Sequence, residues 1–321
     1  MVHEGGTPRM KPTLGPTVIL DRLSEKRTDK DYMEALVSAE TSRFFVLAGD
    51  KAVVDSNEDR TKTHIHWFTG TEIADLGLAV NEAIFLGIDP EDGTAKYAVA
   101  TSEHYARGAP QARDALKSRV EVRTLATQGA MPQSELALVA QAISLGHWHE
   151  NNRCCGRCGG SMNVKQGGWK RKCWACGYEA FPRVDPVVIM AVTDGEHIVL
   201  AHEHRFPDKM YSTLAGYVEP GDDIVHAVRR ETKEETGLEV GEVRLLGSQP
   251  WPFMHSLMLG CIAHAEHREL VVDAAEIEHA AWFSRMEANS MLSGIHSQEL
   301  WLPGPQSMAH QIVKAWLSNE I

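Results

Sequence analysis

Three carboxylates, Glu231, Glu234 and Glu235, stand at i, i+3 and i+4. At 3.6 residues per turn they leave a helix from one side. Held that close they repel one another, so an isolated helix gains nothing from the arrangement. A hard divalent cation removes the conflict, because Mg2+ and Mn2+ take oxygen ligands and bridge phosphates. Arg230, beside Glu234 on the helix surface, can hold one carboxylate in place, while Val225, Val228 and Thr232 fall on a neighbouring face that can pack inward. A solvated acidic helix is the plainer alternative, and Glu-Glu pairs alone are usually that. A second constellation is Cys155-x2-Cys158 followed by Cys173-x2-Cys176. Two such knuckles form a tetrahedral thiolate site for Zn2+. Four thiolates leave no open position, so the site is structural; iron fits the ligand type but is the weaker fit. Gly159 and Gly177 follow the second Cys of each knuckle and let the chain turn. Cys154 is one residue out of register, and Cys261 lies in an apolar run as a small hydrophobe.

The carboxylates need a frame, and the surrounding sequence supplies one. Glu219-Pro220-Gly221 fits a type II turn, since Pro presets φ and Gly accepts positive φ. Asp222 or Asp223 then caps the helix, near the positive end of its dipole. Gly237 stops it in the position that favours αL. Upstream, Pro186–Val192 is apolar on both faces and so central in a sheet. Asp194-Gly195 turns the chain into a strand over 197–201, and Thr213-Leu214-Ala215 delivers it to the loop. Strands over 243–247, 256–263 and 280–283 and a helix over 308–317 follow. His202-x-His204 could bind metal, but with no third partner in view it reads as surface.

The first half carries no comparable site. Strands are expected at 44–47, 83–88 and 96–100, and a helix at 134–147, where apolar residues recur at helical spacing. His64-x-His66 reads as one face of a strand. Residues 1–17, rich in Gly, Pro and Lys, read as a tail. The chain of 321 residues has a net charge of -12, which argues against a general nucleic-acid binder. Between 153 and 183, however, seven cations face only Glu179. That stretch is either the solvated surface of a zinc ribbon or a patch that tracks the phosphates of an RNA tail. With no signal-like start and no apolar run of spanning length, a soluble cytoplasmic protein is expected, its cysteines reduced or metal-bound.

Read together, Gly216, Arg230, Glu231, Glu234, Glu235, Gly237 and Leu238 resemble the Nudix box, Gly-x5-Glu-x7-Arg-Glu-U-x-Glu-Glu-x-Gly-U, with U a bulky aliphatic residue. Asp222 replaces the first Glu, one methylene shorter, and Thr232 stands at an aliphatic position. The stretch from Ser248 to Ser256 resembles the Ser-Gln-Pro-Trp-Pro-Phe-Pro-x-Ser array of NADH pyrophosphatases, with Met254 for the last Pro. Ribbon, box and array in this order are similar to that family along nearly the whole chain. The implied fold is α+β: a Nudix α/β/α sandwich with a mixed sheet over 183–321, preceded by a four-Cys zinc ribbon over 151–182 and a degenerate Nudix-like domain over 18–150.

The resemblance implies hydrolysis of the diphosphate bond of NAD(H) to NMN(H) and AMP, and removal of NAD caps from RNA 5′ ends. Glu231, Glu234, Glu235, Glu276 and the Ala215 carbonyl would hold two or more Mg2+ or Mn2+ ions, with Arg230 in support. Glu235 or Glu276 would be the general base. Phe181 and Tyr217 would stack the nicotinamide or adenine ring. Gln249, Pro250, Trp251, Pro252, Phe253 and Ser256 would wall the pocket, read as a loop between two strands. Ala309 would offer a backbone N–H to phosphate at a helix start. Arg123 matches an arginine tied to substrate in the family, with a plain surface arginine as the equal alternative. A homodimer is implied, because the pockets are shared across a two-fold axis. Two other readings stand beside this one: a Nudix hydrolase of ADP-ribose or diadenosine polyphosphates, and a non-catalytic zinc-ribbon protein that binds RNA.

Overall fold

The computed structural model describes residues 20–59, 61–128, 130–251 and 255–320. The expected tail, and Pro252 and Phe253, lie outside the described residues. The described residues up to Arg183 form one compact unit with His255, and those from Val184 onward form a second.

The first unit is built on a mixed sheet. Its strands are β1 (Arg43–Ala48), β2 (Lys51–Ser56), β3 (Thr63–Ile65), β4 (Ile84–Ile88), β5 (Ala95–Thr101) and β6 (Arg119–Glu121). They run in the order β3-β2-β1-β5-β4, with β6 on β2. Helices α1 (Lys30–Val37), α2 (Gly70–Asp75), α3 (Glu103–Gly108), α4 (Pro110–Arg113), α5 (Val122–Gln128) and α6 (Gln133–Asn151) surround it. Buried Phe44 stacks on Tyr97 at 5.0 Å between ring centroids. α6 runs four residues beyond its expected end, because Trp148 and His149 extend its buried face. His64 and His66 each pair with a different carboxylate, Glu135 and Asp55, so they share no site.

The ribbon packs into the same unit. β7 (Met162–Lys165), β8 (Lys170–Cys173) and β9 (Glu179–Ala180) form a small antiparallel sheet. Cys155, Cys158, Cys173 and Cys176 place their sulfurs within 4.8 Å of one another, as tetrahedral ligation requires. Cys154 stands outside the group. Between β7 and β8 the chain presses onto β4. Gly168, at φ 93°, leaves only 3.2 Å between a would-be Cβ and the Ile84 backbone. The Trp169 indole donates to the Phe85 carbonyl at 2.7 Å. His149 on α6 donates from Nε2 to the Gly168 carbonyl at 2.8 Å, and its Nδ1 accepts from Arg171 at 2.9 Å. Burial pushes His149 down to about 4, so it stays neutral and keeps both roles at neutral pH.

The second unit is a three-layer sandwich. Its strands are β10 (Asp185–Thr193), β11 (His197–Glu203), β12 (Leu214–Tyr217), β13 (Val240–Trp251), β14 (Ser256–Ala265) and β15 (Ile277–Ser284). Their order is β13-β14-β10-β11-β15, with β12 beside β10. The β10–β14 pair is parallel and the others antiparallel. α7 (Ile224–Thr236) covers one face, packing Ala227 and Val228 against Val188, Met190 and Val199. α8 (Arg285–Leu292) and α9 (Met308–Leu317) cover the other, where Ile312 and Trp316 meet Ile189 and Ile198. As its unbroken apolar run requires, β10 is central.

One expectation needs correction. Gln249, Pro250 and Trp251 do not lie in a loop: they end β13, where Pro250 pairs with Leu257 and Trp251 with Ser256. A proline is tolerated there because β13 is an edge strand, whose outward N–H positions need no partner in the ladder.

Because ligation free energy is folding free energy, Cys173→Ser should empty the zinc site and lower the unfolding midpoint of the first unit by roughly 10 °C. Zinc content by atomic emission and a thermal melt check this.

Candidate active site

The site is assembled by one turn and one helix. β12 pairs with β10 so that Ala215 sits opposite Ile189 and Gly216 opposite Val188. The chain then closes a turn in which Asp222 N–H donates to the Glu219 carbonyl at 3.0 Å, with Gly221 at φ 109°. Asp223 is the N-cap, its side chain accepting from His226 N–H. Gly237 ends α7 at φ 72°. Asp222 is thereby released from capping and does something else.

What it does is hold Arg230. The guanidinium donates to Asp222 Oδ2 from Nε at 3.1 Å and from Nη2 at 2.9 Å, and Nη2 also reaches the Tyr217 carbonyl at 2.8 Å. Its Nη1 serves Glu231 Oε1 at 2.8 Å and Glu234 Oε2 at 2.9 Å. One cation therefore ties the loop to the helix and spaces two carboxylates. The bonds from Arg230 and His226 hold the Asp222 carboxyl down to about 2. The shorter Asp at this position keeps the link to the arginine.

The three helix carboxylates occupy different environments. Glu231 and Glu235 are buried in the stripe that continues Ala227 and Val228 toward the sheet, whereas Glu234 is exposed. Of the residues expected to pack inward, Val228 and Thr232 do, and Val225, in the first turn of α7, does not. Glu231 lies so close to Gly216 that a Cβ there would meet its Cδ at 1.8 Å. Burial raises Glu231 above the ordinary carboxylate range, and burial with the nearby charge of Glu231 pushes Glu235 up to about 8. Glu235 Oε2 is buried and has no hydrogen-bond partner. An orphaned, desolvated carboxylate oxygen is costly unless something cationic meets it.

A loop from the far end of the sheet completes the group. Val271 N–H donates to the Thr236 carbonyl at 2.8 Å and Asp273 N–H to the Glu235 carbonyl at 3.2 Å. This docks the turn that carries Glu276, whose charge adds to the upward push on both buried glutamates. Glu203, at the end of β11, acts on Glu235 in the same sense and was not anticipated. Its signal was available: with Val199 and Ala201 facing α7, period-2 alternation puts residue 203 on that side too. His204 is exposed, as expected, and His202 is half-buried. Each donates one ring N–H to a carbonyl, of Met210 and Ala274, and each faces Glu278, at 3.5 and 3.6 Å.

The structure thus brings Glu231, Glu234, Glu235, Glu276 and Arg230 to one end of α7, next to the strand that holds Ala215. Among the described residues only the four cysteines converge as a ready ligand set; the carboxylates repel, and Arg230 occupies two of them. Their oxygen chemistry and the bare Glu235 Oε2 fit hard divalent cations. Among the pocket residues, buried Gln249 donates to the Gln306 carbonyl at 2.9 Å, which joins β13 to the start of α9, where Ser307 is the N-cap and Ala309 is buried. Tyr217 is exposed at the head of the loop. Phe181 and Arg123 belong to the first unit, where both are exposed.

Comparison with known proteins identifies the family. The NUDIX domain profile matches residues 182–302, the NADH pyrophosphatase zinc ribbon residues 150–181, and the NADH pyrophosphatase-like rudimentary NUDIX domain residues 41–148. The NAD-capped RNA hydrolase NUDT12 of Homo sapiens is 36% identical over 93% of this chain and 72% of its own length. The chloroplastic Nudix hydrolase 19 of Arabidopsis thaliana is 33% identical over 84% and 74%. The NAD-capped RNA hydrolase NudC of Mycobacterium bovis is 41% identical over 59% and 63%. The chain belongs to the NADH pyrophosphatase family of Nudix hydrolases.

Two outcomes follow from the site. Gly216→Ala should push Glu231 aside and lower kcat by about 100-fold or more with zinc content unchanged, as a steady-state assay would show. Below about pH 8 Glu235 holds a proton when no cation is bound, and that proton must leave before a cation enters. The affinity for added Mn2+ should therefore rise with pH up to about 8, and Glu235→Gln should flatten that rise in a calorimetric titration.

Proposed function

We propose that this protein hydrolyses the central diphosphate of NAD(H), giving NMN(H) and AMP, and acts on the same bond in NAD-capped RNA. The observation that carries the reading is the buried, unpartnered carboxylate of Glu235 among Glu231, Glu234 and Glu276, in a chain of this family. Water attacks one phosphorus, the bridging oxygen leaves on the other nucleotide, and the water proton is given up.

Glu231, Glu234, Glu235, Glu276 and the Ala215 carbonyl would hold two or more Mg2+ or Mn2+ ions. Such ions neutralise diphosphate oxygens and make bound water acidic. Arg230 fixes Glu231 and Glu234 against the loop through Asp222. Glu235 and Glu276 are the groups available to take the proton. Tyr217, 54% exposed, offers a ring face for the base, and Phe181 is assigned the same role by the family resemblance, its ring 60% exposed with Lys170 Nζ 5.8 Å from its centroid. Gln249 to Trp251, Ser256 and Ala309 form the wall near the α9 start, and Arg123 is assigned a substrate contact. In the family the pockets are shared across a two-fold axis, so the active form is taken to be a homodimer, working in the cytoplasm. No helix among the described residues is long and apolar enough to cross a membrane.

Purified protein given NADH and Mg2+ should release AMP and NMNH in equal amounts, and Glu235→Gln should lower the rate by about 1,000-fold. ADP-ribose and diadenosine polyphosphates in the same panel should show lower kcat/KM. A higher kcat/KM for either, or no AMP at all, would overturn the assignment.

A further inference from the structure

The ribbon has a surface that zinc binding does not explain. Between Arg153 and Phe181 there are six cations and one carboxylate, Glu179. Zn2+ with four thiolates carries two negative charges, so the module remains cationic by about three charges. It does so in a chain whose net charge is -12. Glu179 is shared by Lys170 at 2.7 Å and Lys172 at 3.5 Å. Arg153, Arg157 and Lys165 are exposed and form no ion pair with a described carboxylate. Arg157 lies inside the first knuckle, and Trp174 follows the first Cys of the second.

Trp174 is the unexpected residue. It is 74% exposed, and Tyr178, four residues on in the same knuckle, is 44% exposed. The fold asks for neither ring. The knuckles close through the sulfurs, through the close approach of Ala175 to Gly160, where an added Cβ would lie 3.1 Å from Ala175 Cβ, and through Trp174 backbone N–H to the Ser161 carbonyl at 3.2 Å. Single exposed apolar side chains are ordinary on proteins. Two aromatic faces on a cationic knuckle of an acidic protein are a different matter: they combine base stacking with phosphate attraction, the two forces that hold single-stranded nucleic acid without reading its sequence.

We propose that the zinc ribbon binds the single-stranded RNA behind the cap, with Trp174 stacking on a base and Arg157 and Lys172 meeting phosphates. The inference rests on capped RNA being a substrate. It deepens that reading by giving the RNA body its own binding surface, separate from the carboxylates that cut the diphosphate.

The test uses the full-length, zinc-loaded protein and two readouts. One is fluorescence anisotropy with a short, uncapped single-stranded RNA. The other is cleavage of NADH and of NAD-capped RNA side by side. Trp174→Ala should weaken RNA binding roughly tenfold, and Trp174→Phe should restore most of it. Arg157→Gln with Lys172→Gln should flatten the salt dependence by about 0.7 per lost phosphate contact. All of these variants should cleave NADH at the wild-type rate and keep their zinc, while kcat/KM on capped RNA falls in step with RNA affinity. Unchanged RNA binding and capped-RNA cleavage in Trp174→Ala would overturn the proposal and leave the function intact. An equal loss on NADH and capped RNA would also overturn it, by placing Trp174 with the dinucleotide. A wild-type protein that cleaves NADH but neither binds nor cleaves RNA would remove both this surface and the RNA half of the function.

Discussion

Buried negative charge is the constraint from which the catalytic unit follows. Glu231 and Glu235 lie where α7 meets the sheet, and Glu203 and Glu276 face Glu235 from β11 and the loop before β15. Against them stand two guanidinium groups: Arg230, already engaged by Asp222, Glu231, Glu234 and the Tyr217 carbonyl, and Arg205, which pairs with Glu203 at 2.6 Å. Removing carboxylates from water costs several kcal/mol each unless the charge is matched. The unit tolerates the imbalance because the remainder of α7 is well packed, through Ala227 and Val228, and is capped at both ends by Asp223 and Gly237. A fold stable enough to hold charges apart from their counterions is pre-organised for cations that arrive with substrate.

The same constraint accounts for small residues with no chemistry of their own. Gly216 has no side chain because the Glu231 carboxylate occupies the space a Cβ would take. Gly237 meets two demands together: its φ of 72° ends the helix, and a Cβ would strike Val271 at 2.9 Å, in the segment that docks the Glu276 loop. Helix termination and delivery of the distal carboxylate are thus set at one position.

How much of this was legible in the sequence depended on range. Local signals sufficed for the caps, the turn at Pro220-Gly221, the knuckles, the central strand β10 and the carboxylates themselves, because each is governed by residues within a few positions of it. The burial of Glu231 and Glu235 beside an exposed Glu234 was not legible. Helical spacing puts all three on one side, but the sheet beneath decides how far round that side the interior reaches. Glu203 is a different case: the alternation through Val199 and Ala201 reaches it, but β11 runs two residues beyond the end expected at 201. The end of β13 was misjudged because Pro250 reads locally as a strand breaker, and only its place at the sheet edge shows otherwise.

The contact between Gly168 and β4 reaches beyond stability. A zinc ribbon is commonly a self-sufficient cassette, yet here its middle loop rests on the Ile84 and Phe85 backbone and is tied to α6 through His149. The first unit has none of the carboxylate helix of the second, and its strands nonetheless make the bed on which the ribbon lies. The rudimentary domain then serves as a foundation. Ribbon and N-terminal domain would be inherited, exchanged or lost as a single piece, and a chain trimmed to the box and knuckles alone would leave Trp169 without its acceptor.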